Sequence, residues 1–209
     1  MTSIITGDII RSRRISEPEQ WLIPLKALFD TVGEEPRAWQ FFRGDSFQLE
    51  VRNPEKAFEF ALKIKASVKC IDRLDVKLAI GIGSKNYDAP RITESNGEAF
   101  INSGELFDKM KKKNLAVKSP WEGFDREMNL YFDLALLTMD RWTQNSAEIV
   151  KISLDSPELT QRELGAKLGI TQGRVSDRQK RAGFEEILKL AKRYRELVIQ
   201  KMKKDDAVS

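Results

Sequence analysis

Two aspartates and one polar run hold most of the chemistry available to this chain. Asp8 sits in Gly7-Asp8-Ile9, near the end of an apolar segment, and Asp45 sits 37 residues later in Gly44-Asp45-Ser46-Phe47. If the two segments are neighbouring strands, two carboxylates share one sheet edge and can hold Mg²⁺ on a nucleoside triphosphate through hard oxygen ligands. The plainer alternative is a hairpin-turn aspartate and a strand-end cap. Arg11, Arg13 and Arg14 follow the first segment, where they either meet phosphates or form a solvated loop. The chain has no histidine and one cysteine, Cys70, so Ser-His-Asp, Cys-His and zinc-hydrolase chemistries are excluded.

The polar run lies near the other end. From Leu159 to Ala182 the sequence resembles a helix-turn-helix. Thr160 caps a helix whose Leu164 and Leu168 face inward, and Gly169 supplies a left-handed turn. Ile170 plugs the corner, and Thr171 caps a second helix anchored by Val175 and ended by Gly183. Gly165 lets the two helices approach closely. In such a module the second helix enters the major groove of double-stranded DNA. The DNA-facing set is then Gln161, Thr171, Gln172, Arg174, Ser176 and Arg178, with Lys180 and Arg181 reaching phosphate. Arginine reads guanine and glutamine reads adenine, each through two hydrogen bonds. An ordinary helical hairpin with solvated polar residues is the alternative.

Charge separates these regions. Residues 1–142 carry 22 basic and 22 acidic side chains, whereas residues 160–204 carry 13 and 5. The overall excess of +4 is therefore C-terminal, as expected of a nucleic-acid-binding module beside a neutral partner domain. With 41% hydrophobic residues the chain has ample material for a core, and no run approaches a membrane span. The absence of a signal-like start and the lone cysteine make a cytoplasmic location the expectation.

The elements that position these residues follow from periodicity. Ser3–Ile10 is a buried strand, and a helix opening at Ser16-Glu17-Pro18 runs to about Val32. Phe41-Phe42 and the alternating Phe47, Leu49 and Val51 flank a hairpin. A helix from Pro54 carries one apolar stripe, along which the stem of Lys65 can lie. Leu74–Gly83 is a strand, a helix runs from Asn96-Gly97-Glu98 to about Lys113, and Leu115–Val117 is an edge strand. The expected order is β-α-β-β-α-β-α-β. Residues 124–142 form a helix apolar nearly all round, which must be buried within the protein or between subunits. Ser146 is read as the N-cap of the next helix. From Phe184 to Met202 an apolar stripe covers the module or pairs with a second subunit, and the tail from Lys201 frays.

Gly7-Asp8-Ile9, Gly44-Asp45-Ser46-Phe47, Ala79-Ile80-Gly81-Ile82-Gly83 and Gly97-Glu98-Ala99-Phe100 resemble, in order, the class III nucleotide cyclase catalytic domain over about residues 3–118. The resemblance implies a metal pair at Asp8 and Asp45. The cyclase asparagine and arginine fall at Ile101 and Glu105, and the purine-selecting lysine at Phe41, so the catalytic pair is missing; Asn102 is one position off. The whole arrangement, with Phe47-Gln48 in the hairpin and a terminal helix-turn-helix, resembles the bacterial SatD family, which implies a regulator.

The expected fold class is therefore α+β, a ferredoxin-like or cyclase-like antiparallel sheet with helices followed by an all-α module. The expected division is a cyclase-like domain (1–120), a connecting helix (121–145) and a helix-turn-helix domain with a C-terminal helix (146–204). The expected function is a DNA-binding transcriptional regulator, a homodimer, with a possible nucleotide effector and Mg²⁺ at Asp8 and Asp45. The alternatives are an Mg-dependent nucleotide-binding or nucleotidyl-transfer enzyme and a protein-interaction adaptor.

Overall fold

The isoleucine-rich segment at the start becomes β1 (Thr2–Ile10), buried on both faces, as its composition requires. A computed structural model describes residues 1–207 of the chain. After β1 come α1 (Glu19–Phe29), β2 (Trp39–Phe42), β3 (Ser46–Val51), α2 (Ala57–Lys69), β4 (Asp75–Gly83), α3 (Glu98–Lys109) and β5 (Leu115–Lys118). The sheet order is β2-β3-β1-β4-β5. Neighbours are antiparallel except β4 and β5, which run parallel because α3 crosses over between them. The α+β class stands, with a mixed five-stranded sheet in place of a purely antiparallel one.

The sheet is covered on both faces. Ile5, Ile9, Val76, Leu78, Ile80 and Ile82 belong to the main core with α1 and α2, while Ile4 and Ala79 pack under α3. Gly7, Gly81 and Gly83 of the cyclase-like motifs are packing devices, whereas Gly44 serves a turn at φ 95°. A Cβ on Gly81 would lie 2.2 Å from the Ala99 carbonyl and 2.3 Å from the Ser103 amide, so α3 rests directly on the β4 backbone. Asn102 donates from Nδ2 to the Ile82 carbonyl (2.8 Å), which gives it a structural role. Gly7 stands opposite Phe47 in the ladder, and its missing side chain is replaced by the Phe47 ring. The helix expected to reach Lys113 ends at Lys109, because Met110 leaves it to become buried beside Ala79 and Ala116.

The helical remainder is α4 (Glu122–Met139), α5 (Gln144–Asp155), α6 (Gln161–Leu168), α7 (Gln172–Ala182) and α8 (Phe184–Asp206). Phe124, Met128, Phe132, Leu136 and Met139 bury one face of α4. The α8 stripe turns back onto the first half of the chain. Tyr194 is fully buried, with ring centroids 5.7 Å from Phe58, 5.7 Å from Phe124 and 6.2 Å from Phe132, and its hydroxyl donates to the Pro54 carbonyl at 3.2 Å. One core thus runs across positions 120 and 146. The tail expected to fray stays helical to Asp206, with Trp121 Nε1 donating to Asp205 Oδ2 at 2.8 Å.

Lys65 departs furthest from the sequence reading. It is 1% exposed, and its ammonium lies 2.7 Å from Asp75 Oδ1 and 2.6 Å from Asp140 Oδ1 instead of reaching solvent. Lys69 donates to the Asp140 carbonyl at 2.7 Å, and Asn114 donates to Asp140 Oδ2 at 3.1 Å. This network ties α2 and β4 to the end of α4. Among the described residues no helix is long and apolar enough to cross a membrane.

Candidate nucleic-acid interface

Local chemistry builds the three-helix unit α5–α6–α7. Thr143, not Ser146, caps α5: its hydroxyl accepts from the Ser146 amide at 3.3 Å, the usual geometry between an N-cap and its third helical residue. Thr160 and Glu163 form a full capping box. The Thr160 amide and hydroxyl both donate to Glu163 at 2.8 Å and hold its carboxyl below the ordinary range. Gly169 adopts φ 64°, and Thr171 accepts from the Arg174 amide at 3.3 Å. At Gly165 a Cβ would lie 2.7 Å from the Ile170 carbonyl, so the obstacle is the turn itself more than the second helix.

Ile149, Leu164 and Val175 make the small core of this unit, with Ile152, Leu159, Leu168 and Ile170 packed around it. Val175 and Ala182 therefore fix the inward face of α7. Gln172, Arg174, Ser176, Asp177, Lys180 and Arg181 are left exposed on the rest of it. The Arg181 Nε donates to the Asp177 carbonyl at 3.3 Å, which leans that guanidinium along the helix.

Arg178 and Gln161 are placed differently from the others. Arg178 is 18% exposed and bonds Glu148 of α5 at 2.8 Å. Gln161 donates to Gln179 Oε1 at 2.9 Å, and Gln179 donates to Ser153 at 3.0 Å. These bonds lock the three helices together. Glu148, Ser153 and Gln179 were not singled out from sequence; the available signal was Gln179 falling at i+4 from Val175, on the inward face. The unit is also anchored at the far end of α7, where Trp142 Nε1 donates to the Ala182 carbonyl at 2.9 Å.

In the sheet the strand order brings the backbones of Asp8 and Asp45 together. Asp8 pairs in register with Ser46 and Lys77, and the Ile9 amide donates to the Asp45 carbonyl at 3.1 Å. Ser46 donates to Asp8 Oδ1 at 2.7 Å, and the Ser12 hydroxyl donates to Asp45. Burial holds the Lys77 ammonium below its usual value, an effect opposed by Asp8 and Asp108. Arg11, Arg13 and Arg14 are exposed beside this edge. A cavity of about 410 Å³ opens next to it, lined by Arg11, Lys69, Arg73, Asn114 and Asp140 among others. Ile101 is exposed, and Glu105 accepts from Lys118 at 2.8 Å, so the positions aligned with the cyclase pair carry no cation for a developing phosphate charge. Cys70 closes α2, where burial pushes its thiol up to about 11 and removes it from nucleophilic chemistry.

No curated protein matches the chain. Residues 139–183, from the end of α4 through α7, match the family model described as Sigma-70, region 4. The match supports the helix-turn-helix read from residues 159–182 as a DNA-binding, transcription-related module.

Proposed function

We propose that the chain is a bacterial transcriptional regulator, acting in the cytoplasm as a homodimer, in which α7 reads the major groove of double-stranded DNA. The observation that carries this is the exposed set Gln172, Arg174, Ser176, Lys180 and Arg181 on a helix whose opposite face is fixed by Val175 and Ala182. Gln172 and Arg174, in the first turn, reach base edges; Lys180 and Arg181 reach phosphate. Thr171 positions that turn by capping it. Gln161 acts through Gln179, and Arg178 reaches DNA only by exchanging its partner Glu148.

The test is binding of the full chain to fragments upstream of its own gene at several salt concentrations. Arg174→Ala is expected to weaken the preferred fragment by about tenfold or more and to flatten discrimination. Lys180→Ala is expected to weaken all fragments alike and to lower the salt slope by about one. Equal, weak binding of every fragment by the wild type rules out sequence reading.

The meeting of Asp8 and Asp45 favours a second element, an Mg²⁺-nucleotide effector at that edge. The Asp8 carboxylate with the Ser46 hydroxyl, and the Asp45 carboxylate with the Ser12 hydroxyl, offer oxygen ligands of the kind this ion takes. Calorimetry with a nucleoside triphosphate and Mg²⁺ is expected to give heat that Asp45→Asn abolishes. No heat at millimolar ligand excludes the effector, whereas turnover lost in Asp45→Asn moves the assignment to an enzyme.

A further inference from the structure

The composition of α4 is apolar nearly all round, yet the fold uses only half of it. Leu130, Leu134 and Leu137 are 58%, 57% and 63% exposed. They form one row at spacings of four and three, on the side of α4 away from Phe124, Met128 and Phe132. A groove of about 460 Å³ runs beside the row, lined by Tyr131, Leu134, Ala135, Ile187 and Leu190. Isolated exposed leucines need no explanation, but a row of three bordering an apolar groove marks an interaction surface. The α8 stripe cannot supply a subunit contact instead, since Ile187, Tyr194, Leu197 and Val198 are already buried within the chain.

The charges at the two ends of the row select the occupant. Glu127 lies on α4 seven residues before Leu134, and the exposed Arg141 lies seven residues after it, in the turn just past the end of the helix. An antiparallel pairing of α4 with a second copy, about a two-fold axis through Leu134, sets Glu127 against Arg141 of the partner subunit at both ends. A parallel pairing would set like charges together. Arg193, the present neighbour of Glu127, stands 3.8 Å away, too far for a hydrogen bond. We infer that α4 is the dimerisation helix, two copies of this chain docking antiparallel through Leu130, Leu134 and Leu137. This rests on the homodimer in the proposed function and supplies its surface. A Cβ on Gly183, which ends α7, would stand 3.2 Å from Thr138, so the two recognition helices would end on either side of the axis. Along α4 the two Thr138 positions would be about 12 Å apart.

Sedimentation velocity of the full chain tests it without DNA, so its failure leaves the DNA reading to its own experiment. The wild type is expected to sediment as a dimer at micromolar concentration. Leu134→Glu is expected to give a monomer with an unchanged circular dichroism spectrum, since the side chain is largely exposed within one chain. Arg141→Glu is expected to raise the dissociation constant about tenfold, and Arg141→Lys to leave it nearly unchanged. A wild type still monomeric at about 100 μM overturns the proposal, and so does a dimer that survives Leu134→Glu.

Discussion

Replacing Lys65 by methionine is expected to lower the stability of the chain by about 3 kcal/mol, to be read as a fall in the urea midpoint at constant slope. Methionine nearly fills the volume of the lysine stem, so little of this loss comes from packing. It comes from Asp75 and Asp140, both placed against an ammonium that is 1% exposed. Removing one member of a buried ionic cluster generally costs about 3–5 kcal/mol, because the remaining charges stay desolvated. The lower end applies here. The Asp140 side chain is 36% exposed and can turn to water, and Asp75 keeps Lys69 at 3.2 Å and the Val76 amide at 2.8 Å. Adding Asp140→Asn to the methionine variant is expected to recover part of the loss. A change under about 1 kcal/mol in the single variant would show that the cluster does not depend on this ammonium.

Tyr194→Ala is expected to cost about 3–5 kcal/mol, in the range for deleting a buried aromatic side chain. The ring fills the space between Phe58, Phe124 and Phe132. Tyr194→Phe keeps the packing and leaves only the Pro54 carbonyl without its donor, for a loss of about 1 kcal/mol. The contrast between the two variants separates packing from hydrogen bonding. Because the core crosses both halves of the chain, calorimetry of the wild type is expected to show one cooperative transition. Two resolved transitions, with only the second sensitive to Tyr194→Ala, would show that the halves unfold independently.

What could be read from the sequence was what is decided locally. Thr160, Gly169 and Thr171 each act within a few residues, and each does in the structure what its type and position imply. The same holds for the alternation in β3 and the all-apolar composition of β1. The less legible features depend on partners remote in sequence. Lys65 reads as an amphipathic stem on an apolar stripe, and its partner Asp140 lies 75 residues away. Arg178 reads as a DNA contact because nothing nearby announces Glu148, 30 residues before it. The α8 stripe says that a face is covered, but periodicity carries no information about which surface covers it. At Asp8 and Asp45 the topology placed the pair, while the serines that engage them lie in the intervening loop and hairpin.

The junction between Trp142 and Ala182 bears on how such a protein can change over generations. A recognition module on a loose tether can be traded between genes as a cassette. Here Trp142 donates to the last carbonyl of α7, a Cβ on Gly183 would stand 3.2 Å from Thr138, and Tyr194 reaches back to Pro54. Recombination that brings in a foreign module at position 143 would strip Phe58 and Phe132 of their cover and leave Trp142 without its acceptor. The two halves are therefore expected to be inherited together, with substitutions in α2 and α4 accepted or rejected according to what stands in α8.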